Sequence, residues 1–223
     1  MNGIEWIFFD MGYTLVNEDG AHNRRIDVAI KELSDRGIQV SREQFWEEIY
    51  RQGMVGHAPV PSAVKTFGLK RATQYTSDGE CAYDDAKETL IALRAHKYKL
   101  GIIANQPLGS VERLEKYGLG GLFDAIFPSA DVGIDKPDTR LYLHALNCVG
   151  CDASHAVMVG DRLDNDIAPA AEVGMRTVRV LRGFFKYCKK GNIEPDYTIS
   201  SLTELIDIFS KKAQNAIDNR TNA

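Results

Sequence analysis

The chain is 223 residues long, 44% hydrophobic and 26% charged, with a net charge of -4 and a pI near 5.8. That size holds one large domain, or one domain carrying a smaller one. The acidic balance leaves no basic footprint for nucleic acid, and no apolar run approaches the ~20 residues that span a membrane.

The N-terminus runs directly into the apolar stretch Trp6-Ile7-Phe8-Phe9, with no basic region and no cleavage site. The expectation is a cytoplasmic protein without a signal peptide, acting as a monomer or homodimer. The apolar stretch reads as a strand buried on both faces, and it ends in Asp10 ahead of Met11-Gly12-Tyr13-Thr14-Leu15. In open parallel α/β sheets, ligands bind beyond the carboxyl ends of the strands. A carboxylate there binds a metal, attacks an electrophile, or simply closes a turn.

Asn17-Glu18-Asp19-Gly20 reads as a turn. Ile26, Ala29, Ile30 and Leu33 then repeat at helical spacing, and Gly37 stops that helix. Ser41-Arg42-Glu43-Gln44 is a capping box opening a helix that carries Phe45, Ile49 and Trp46 inward. Gly53, Gly56, Pro59 and Pro61 predict a break over 53–62, followed by short mixed segments to Gly79.

Beyond Tyr83 the pattern changes to alternating strands and helices. Asp84-Asp85 open a helix with Ala86, Leu90 and Leu93 inward, and Lys99 to Asn105 is a second buried strand. A helix marked by Val111, Leu114 and Tyr117 leads to a short strand, Ala125-Ile126-Phe127. Pro137 is expected to start a helix with Leu141, Ala145 and Leu146 inward. Then come a strand at Ala156–Gly160, a helix from Asn165 to Val173, strands at Thr177–Leu181 and Tyr197–Ile199, and a helix lined by Leu202, Leu205, Ile206 and Phe209. The polar tail from Lys211 to Ala223 is expected to fray. Cys148 and Cys151 form a Cys-x-x-Cys without a second pair at zinc spacing, and read as reduced residues at a helix end.

Strand–helix alternation predicts an α/β fold with a doubly wound, Rossmann-like parallel sheet. The stretch from 17 to 86 is mostly helical and longer than one crossover requires. It reads as a small helical domain inserted into a core formed by residues 1–16 and 87–223.

A second strand also ends in acid, at Val159-Gly160-Asp161, with Asp164 and Asp166 close behind. If the two acid-terminated strands are neighbours, Asp10 and Asp161 face one cavity. Paired carboxylates repel unless a cation lies between them, and oxygen ligands suit Mg2+. Asp166, opening the following helix, is a candidate to hold a metal-bound water or a catalytic lysine. As a plain first-turn acid it would only complement the helix dipole. Lys136, ahead of Pro137, neutralises Asp10 and an incoming anion if its loop covers the cavity.

These segments together resemble the haloacid dehalogenase superfamily, composed mostly of Mg2+-dependent phosphatases. Asp10–Leu15 is similar to its first motif, Ile102–Asn105 to its second, Lys136-Pro137 to its third and Gly160–Asp166 to its fourth. The resemblance covers nearly all of residues 4–210 and makes the inserted segment a helical cap. It implies that Asp10 attacks phosphorus to form an aspartyl-phosphate. It implies further that Asp10, Asp161 and the Gly12 carbonyl hold Mg2+, that Lys136 stabilises nucleophile and phosphoryl oxygens, that Asp166 orients the lysine or metal-water network, and that Asn105 helps bind the phosphoryl group of a small phosphorylated metabolite.

Three positions depart from the family pattern. Gly12 stands where a second Asp usually serves as general acid and base, Tyr13 replaces a usual Gly, and Ala104 replaces a Ser or Thr. General acid–base catalysis contributes about 100- to 10,000-fold, or roughly 3–5 kcal/mol of barrier. The open alternatives are a phosphatase relying on His57 or Tyr13 for proton transfer, a phosphate-ester-binding protein of weak activity, a dehalogenase-type hydrolase, and a phosphonatase-type hydrolase with a cap lysine, Lys31, Lys65 or Lys70, as Schiff base.

Overall fold

The computed structural model describes residues 3–190 and 193–210; the tail from Lys211 onward lies outside them. In chain order the elements are β1 (Trp6–Phe9), β2 (Val16–Asn17), α1 (Asp19–Asp35), α2 (Arg42–Met54), α3 (Pro59–Thr66), β3 (Cys81–Ala82), α4 (Ala86–Ala95) and β4 (Lys99–Ala104). There follow α5 (Ser110–Lys116), β5 (Ala125–Pro128), α6 (Ser129–Val132), α7 (Thr139–Val149), β6 (Ala156–Gly160), α8 (Ala168–Glu172), β7 (Arg176–Val180) and β8 (Tyr197–Ile199). Residues 204–210 are helical.

Six strands form one parallel sheet in the order β5-β4-β1-β6-β7-β8. The chain leaves β1 for β4 and β5 on one side, then returns to β6 on the other. Strand order therefore reverses at β1, so the crevice beyond its carboxyl end is the place where such sheets bind ligands. Asp10 follows β1 directly, and its N–H donates to the Val159 carbonyl at 2.9 Å.

The apolar run of β1 serves both faces because successive side chains alternate. Ile7 and Phe9 join Leu100, Ile102, Val157 and Val159 under α4, α5 and the C-terminal helix. Phe8 turns the other way, against Ile103, Met158, Tyr142 of α7 and Ala170 of α8.

A third cluster lies outside the sheet. Ile26, Ala29 and Leu33 of α1 pack on Phe45 and Ile49 of α2 and Val60, Ala63 and Val64 of α3. Tyr13, Phe184 and Phe185 from the sheet's loops close it. The antiparallel ribbon of β2 and β3, pairing Val16 with Ala82 and Asn17 with Cys81, joins the two ends of this helical segment.

Several local expectations are corrected. The break expected over 53–62 shrinks to 55–58, because α2 runs to Met54 and α3 begins at Pro59. Proline in a helix's first turn removes only an N–H that has no intrahelical partner. Pro137 does not start α7; Asp138 caps it, accepting from the Arg140 N–H, and the first helical residue is Thr139. The helix expected from Asn165 begins as a π-helical turn over Leu163–Ile167 before α8. No helix among the described residues is long and apolar enough to cross a membrane.

Candidate active site

Asp10, Lys136, Asp161 and Asp166 come from four separate segments and meet at the end of β1. Lys136 Nζ donates to Asp10 Oδ1 at 2.5 Å and to Asp166 Oδ1 at 2.6 Å. Asp10, Asp161 and Asp166 each offer an oxygen, and all three lie within 4.8 Å of one another. They line a cavity of about 180 Å3 together with Gly12, Tyr13, Glu18, Asn105 and Phe184.

Local structure holds Asp166 and the Lys136 loop in place. Asp166 sits in the π-helical turn, a distortion frequent at functional sites, and its Oδ2 accepts from the Arg162 N–H at 3.0 Å. Gly160 makes this possible: a Cβ at that position would stand 2.4 Å from the Asp166 Cβ. Asn105 clamps the lysine loop, its Oδ1 accepting from the Lys136 N–H at 2.7 Å and its Nδ2 donating to the Lys136 carbonyl at 2.9 Å. The resemblance assigned Asn105 to the phosphoryl group; the geometry also gives it the task of aiming Lys136.

The electrostatics follow from burial. Burial alone would pull the Lys136 ammonium down, but Asp10 and Asp166 outweigh it and hold its pKa up at about 12. The lysine therefore stays charged. Burial pushes the Asp10 carboxyl up to about 6, with Lys136 opposing and Asp166 assisting. Asp161 rises well above the carboxylate range, through burial first and then Asp166 and Asp10. Among the described residues, no ion pair reaches Asp161. Three carboxylates against one ammonium leave negative charge in a buried cavity, and the donors are all oxygen. Such a set fits a hard divalent cation.

Sequence gave several further residues no role. Glu18 lines the small cavity, and also a neighbouring one of about 530 Å3 shared with His22, Arg25, Tyr75, Ser77 and Arg113. Burial first, and Glu80 second, push the Glu18 carboxyl up to about 7. Glu80 is buried and accepts from Arg113 Nη2 at 2.6 Å, from Tyr117 OH at 2.5 Å and from Tyr75 OH, fixing the rim of the larger cavity. Arg179 is buried and donates to the carbonyls of Asp161, Phe185 and Cys188, so it anchors the loop that brings Phe184 and Phe185 to the site. An acid inside a predicted turn and an arginine inside a predicted strand were the available signals.

Neither expected proton donor is placed for the task. His57 is exposed, bonded through Nδ1 to Gln52 at 2.8 Å, and lines neither cavity. Tyr13 lines the small cavity, but its hydroxyl donates to Asp19 at 3.0 Å. Burial, and then Asp19, raise the Tyr13 pKa far above the phenol range. Tyr13 holds φ at 51°, the left-handed region that favours the glycine usual there. Gly183 compensates by leaving room for the ring, since a Cβ there would lie 2.3 Å from Tyr13 Cγ. Lys31, Lys65 and Lys70 are exposed and line neither cavity, so none is placed to form a Schiff base beside Asp10.

A family model for haloacid dehalogenase-like hydrolases matches residues 4–174. The chain belongs to this family of hydrolases. It is 31% identical over 221 residues to the glyceraldehyde 3-phosphate phosphatase of Methanocaldococcus jannaschii, across 92% of this chain and 96% of that protein. The Methanopyrus kandleri protein of the same name is 33% identical over 241 residues, across 95% of this chain and 100% of that one. A crystal structure of a HAD phosphatase from Thermococcus onnurineus superimposes with a TM-score of 0.66 at 29% identity, covering 92% of this chain and 97% of that one.

Proposed function

We propose that this hydrolase is a Mg2+-dependent phosphatase of small phosphorylated metabolites, working through an aspartyl-phosphate on Asp10. The observation that carries the reading is the meeting of Asp10, Lys136, Asp161 and Asp166 in one buried cavity at the reversal of strand order. Asp10 is the nucleophile. Lys136 neutralises its approach to an anionic ester and stays an ammonium because Asp166 shares it. Asp10, Asp161 and the Gly12 carbonyl would hold Mg2+, which when bound neutralises charge on the transferring phosphoryl group.

In this reading residues 17–86 form a helical cap over the site. The larger cavity receives the body of the substrate, with Arg25, Tyr75 and Arg113 as polar contacts. The names of the relatives make glyceraldehyde 3-phosphate the first ester to test. Phosphate release from it and from p-nitrophenyl phosphate is expected in Mg2+, and is expected to vanish with EDTA and in Asp10→Asn. The absence of turnover on a broad phosphate-ester panel in Mg2+ or Mn2+ would overturn the proposal.

A further inference from the structure

Resting on the phosphatase reading above, we propose that Glu18 is the catalytic acid and base of this site. It would protonate the departing ester oxygen and then deprotonate the water that releases phosphate.

The cavity beside Asp10 holds few groups free to move a proton. Asp166 is bonded to Lys136 and to the Arg162 N–H. Asp161 is clustered with Asp10 and Asp166, where the metal would be held. The Tyr13 hydroxyl is committed to Asp19, and Lys136 to two carboxylates. Among the described residues that line this cavity, Glu18 is the remaining carboxyl.

Its position matches the task. Glu18 lines both cavities, so it stands between the phosphoryl position at Asp10 and the space for the substrate's body. The scissile oxygen bridges those two spaces. Glu18 also reaches back over the strand end: a Cβ built on Gly12 would lie 2.5 Å from Glu18 Oε1. A side chain at position 12 would compete for that volume, so the glycine leaves room for a carboxylate delivered from the first residue ahead of α1.

Glu18 is the N-cap residue of α1, yet its side chain makes no capping hydrogen bond. A capping side chain at that position accepts from the helix's free N–H groups. Here it is turned into the site, with Oε2 lying 3.7 Å from His22 Nε2.

The two steps balance. Asp10 forms a bond to phosphorus as the ester P–O bond breaks; its electron pair stays on the leaving oxygen, which takes the Glu18 proton and departs as the alcohol. Water then attacks phosphorus and gives its proton to the Glu18 carboxylate. The P–O bond to Asp10 breaks, the pair returns to the Asp10 carboxylate, and phosphate leaves with Glu18 protonated again.

The test uses the full chain with Mg2+ and two esters of different leaving-group basicity. Glu18→Gln is expected to lower kcat/KM for glyceraldehyde 3-phosphate by about 100- to 10,000-fold. For p-nitrophenyl phosphate, whose leaving group needs little protonation, kcat/KM falls by less than about tenfold. Turnover of the aryl ester then shows a burst, because release of phosphate from Asp10 has lost its base. Equal losses on both esters, or no loss on either, would overturn the role. A second arm stands even if Glu18→Gln folds poorly: adding Gly12→Asp to Glu18→Ala returns a carboxyl to the same volume. That double variant is expected to recover at least about tenfold of the lost alkyl-ester activity over Glu18→Ala alone; no recovery would count against the role. Wild-type protein that hydrolyses neither ester would sink the phosphatase reading itself, an outcome distinct from parallel losses in Glu18→Gln.

Discussion

Asn105 and Lys136 are joined twice, through Lys136 N–H to Oδ1 at 2.7 Å and Nδ2–H to the Lys136 carbonyl at 2.9 Å. The end of β4 thereby fixes the backbone from which the ammonium reaches Asp10. Asn105→Ala removes both bonds, at a cost of about 1–3 kcal/mol in stability. It is also expected to lower kcat on p-nitrophenyl phosphate about 100-fold, since a misplacement near 1 Å has that effect. Asn105→Asp keeps the acceptor for the Lys136 N–H and loses the donor, so it falls between the two. Urea melts alongside steady-state kinetics check both.

Lys136→Met leaves Asp10 and Asp166 buried without the cation they share. Breaking such a pair by removing one partner costs about 3–5 kcal/mol, and phosphatase activity is expected to be lost. The pH dependence has a definite sign. The Lys136 pKa is raised from 10.5 to about 12 in the fold, so its stabilisation is complete below 10.5 and drains away as pH rises toward 12. The stability gap between wild type and Lys136→Met, measured without metal by urea unfolding, is therefore expected to be wider at pH 8 than above pH 11. A constant gap would contradict the assignment.

The sheet was legible because its strands are buried on both faces and read as continuous apolar runs, with Trp6–Phe9 ending in Asp10 and Ala156–Gly160 ending in Asp161. Adjacency of those two acids is a property of strand order, which alternation of strands and helices leaves open and the pairing of β1 with β6 supplies. Lys136 and Asp166 could be singled out because each lies in a short motif near the expected start of a helix. Glu18 could not. It lies in a turn, and its direction depends on how the β2–β3 ribbon carries the chain back over Gly12. Pro59 misled for a local reason, since the same residue that breaks a helix interior is well suited to a helix start. Tyr13 keeps a glycine-like backbone angle only through room made by Gly183, far away in sequence.

Metal binding is expected to depend on pH with a sign set by the buried acids. Burial raises the Asp10 pKa from 3.8 to about 6, and Asp161 rises as well. For a raised carboxyl, the cost of ionisation enters as pH climbs from 3.8 through 6 and persists above it. A cation on these oxygens offsets that cost at pH 8, whereas at pH 5 it must first displace protons. Mg2+ at a hundredfold excess over Kd is expected to raise Tm at pH 8 by about 5–10 °C, and by clearly less at pH 5. Asp161→Asn is expected to abolish the shift. Equal shifts at both pH values, read by differential scanning fluorimetry, would contradict a site on these carboxylates.

Gly160 and Asp166 stand in a tight steric relationship, since a Cβ on Gly160 would meet the Asp166 Cβ at 2.4 Å and its Oδ2 at 2.5 Å. Gly160→Ala therefore pushes Asp166 away from Lys136, or moves the strand end that carries Asp161. Overpacking of this kind costs about 1–3 kcal/mol, and activity is expected to fall further than stability because Lys136 loses one of its two carboxylates. Asp166→Ala removes the obstacle together with the carboxylate. The two changes should therefore be less than additive in stability, with a coupling of about 0.5–3 kcal/mol in a double-mutant cycle. Strict additivity would mean that position 160 acts on stability by some route other than Asp166.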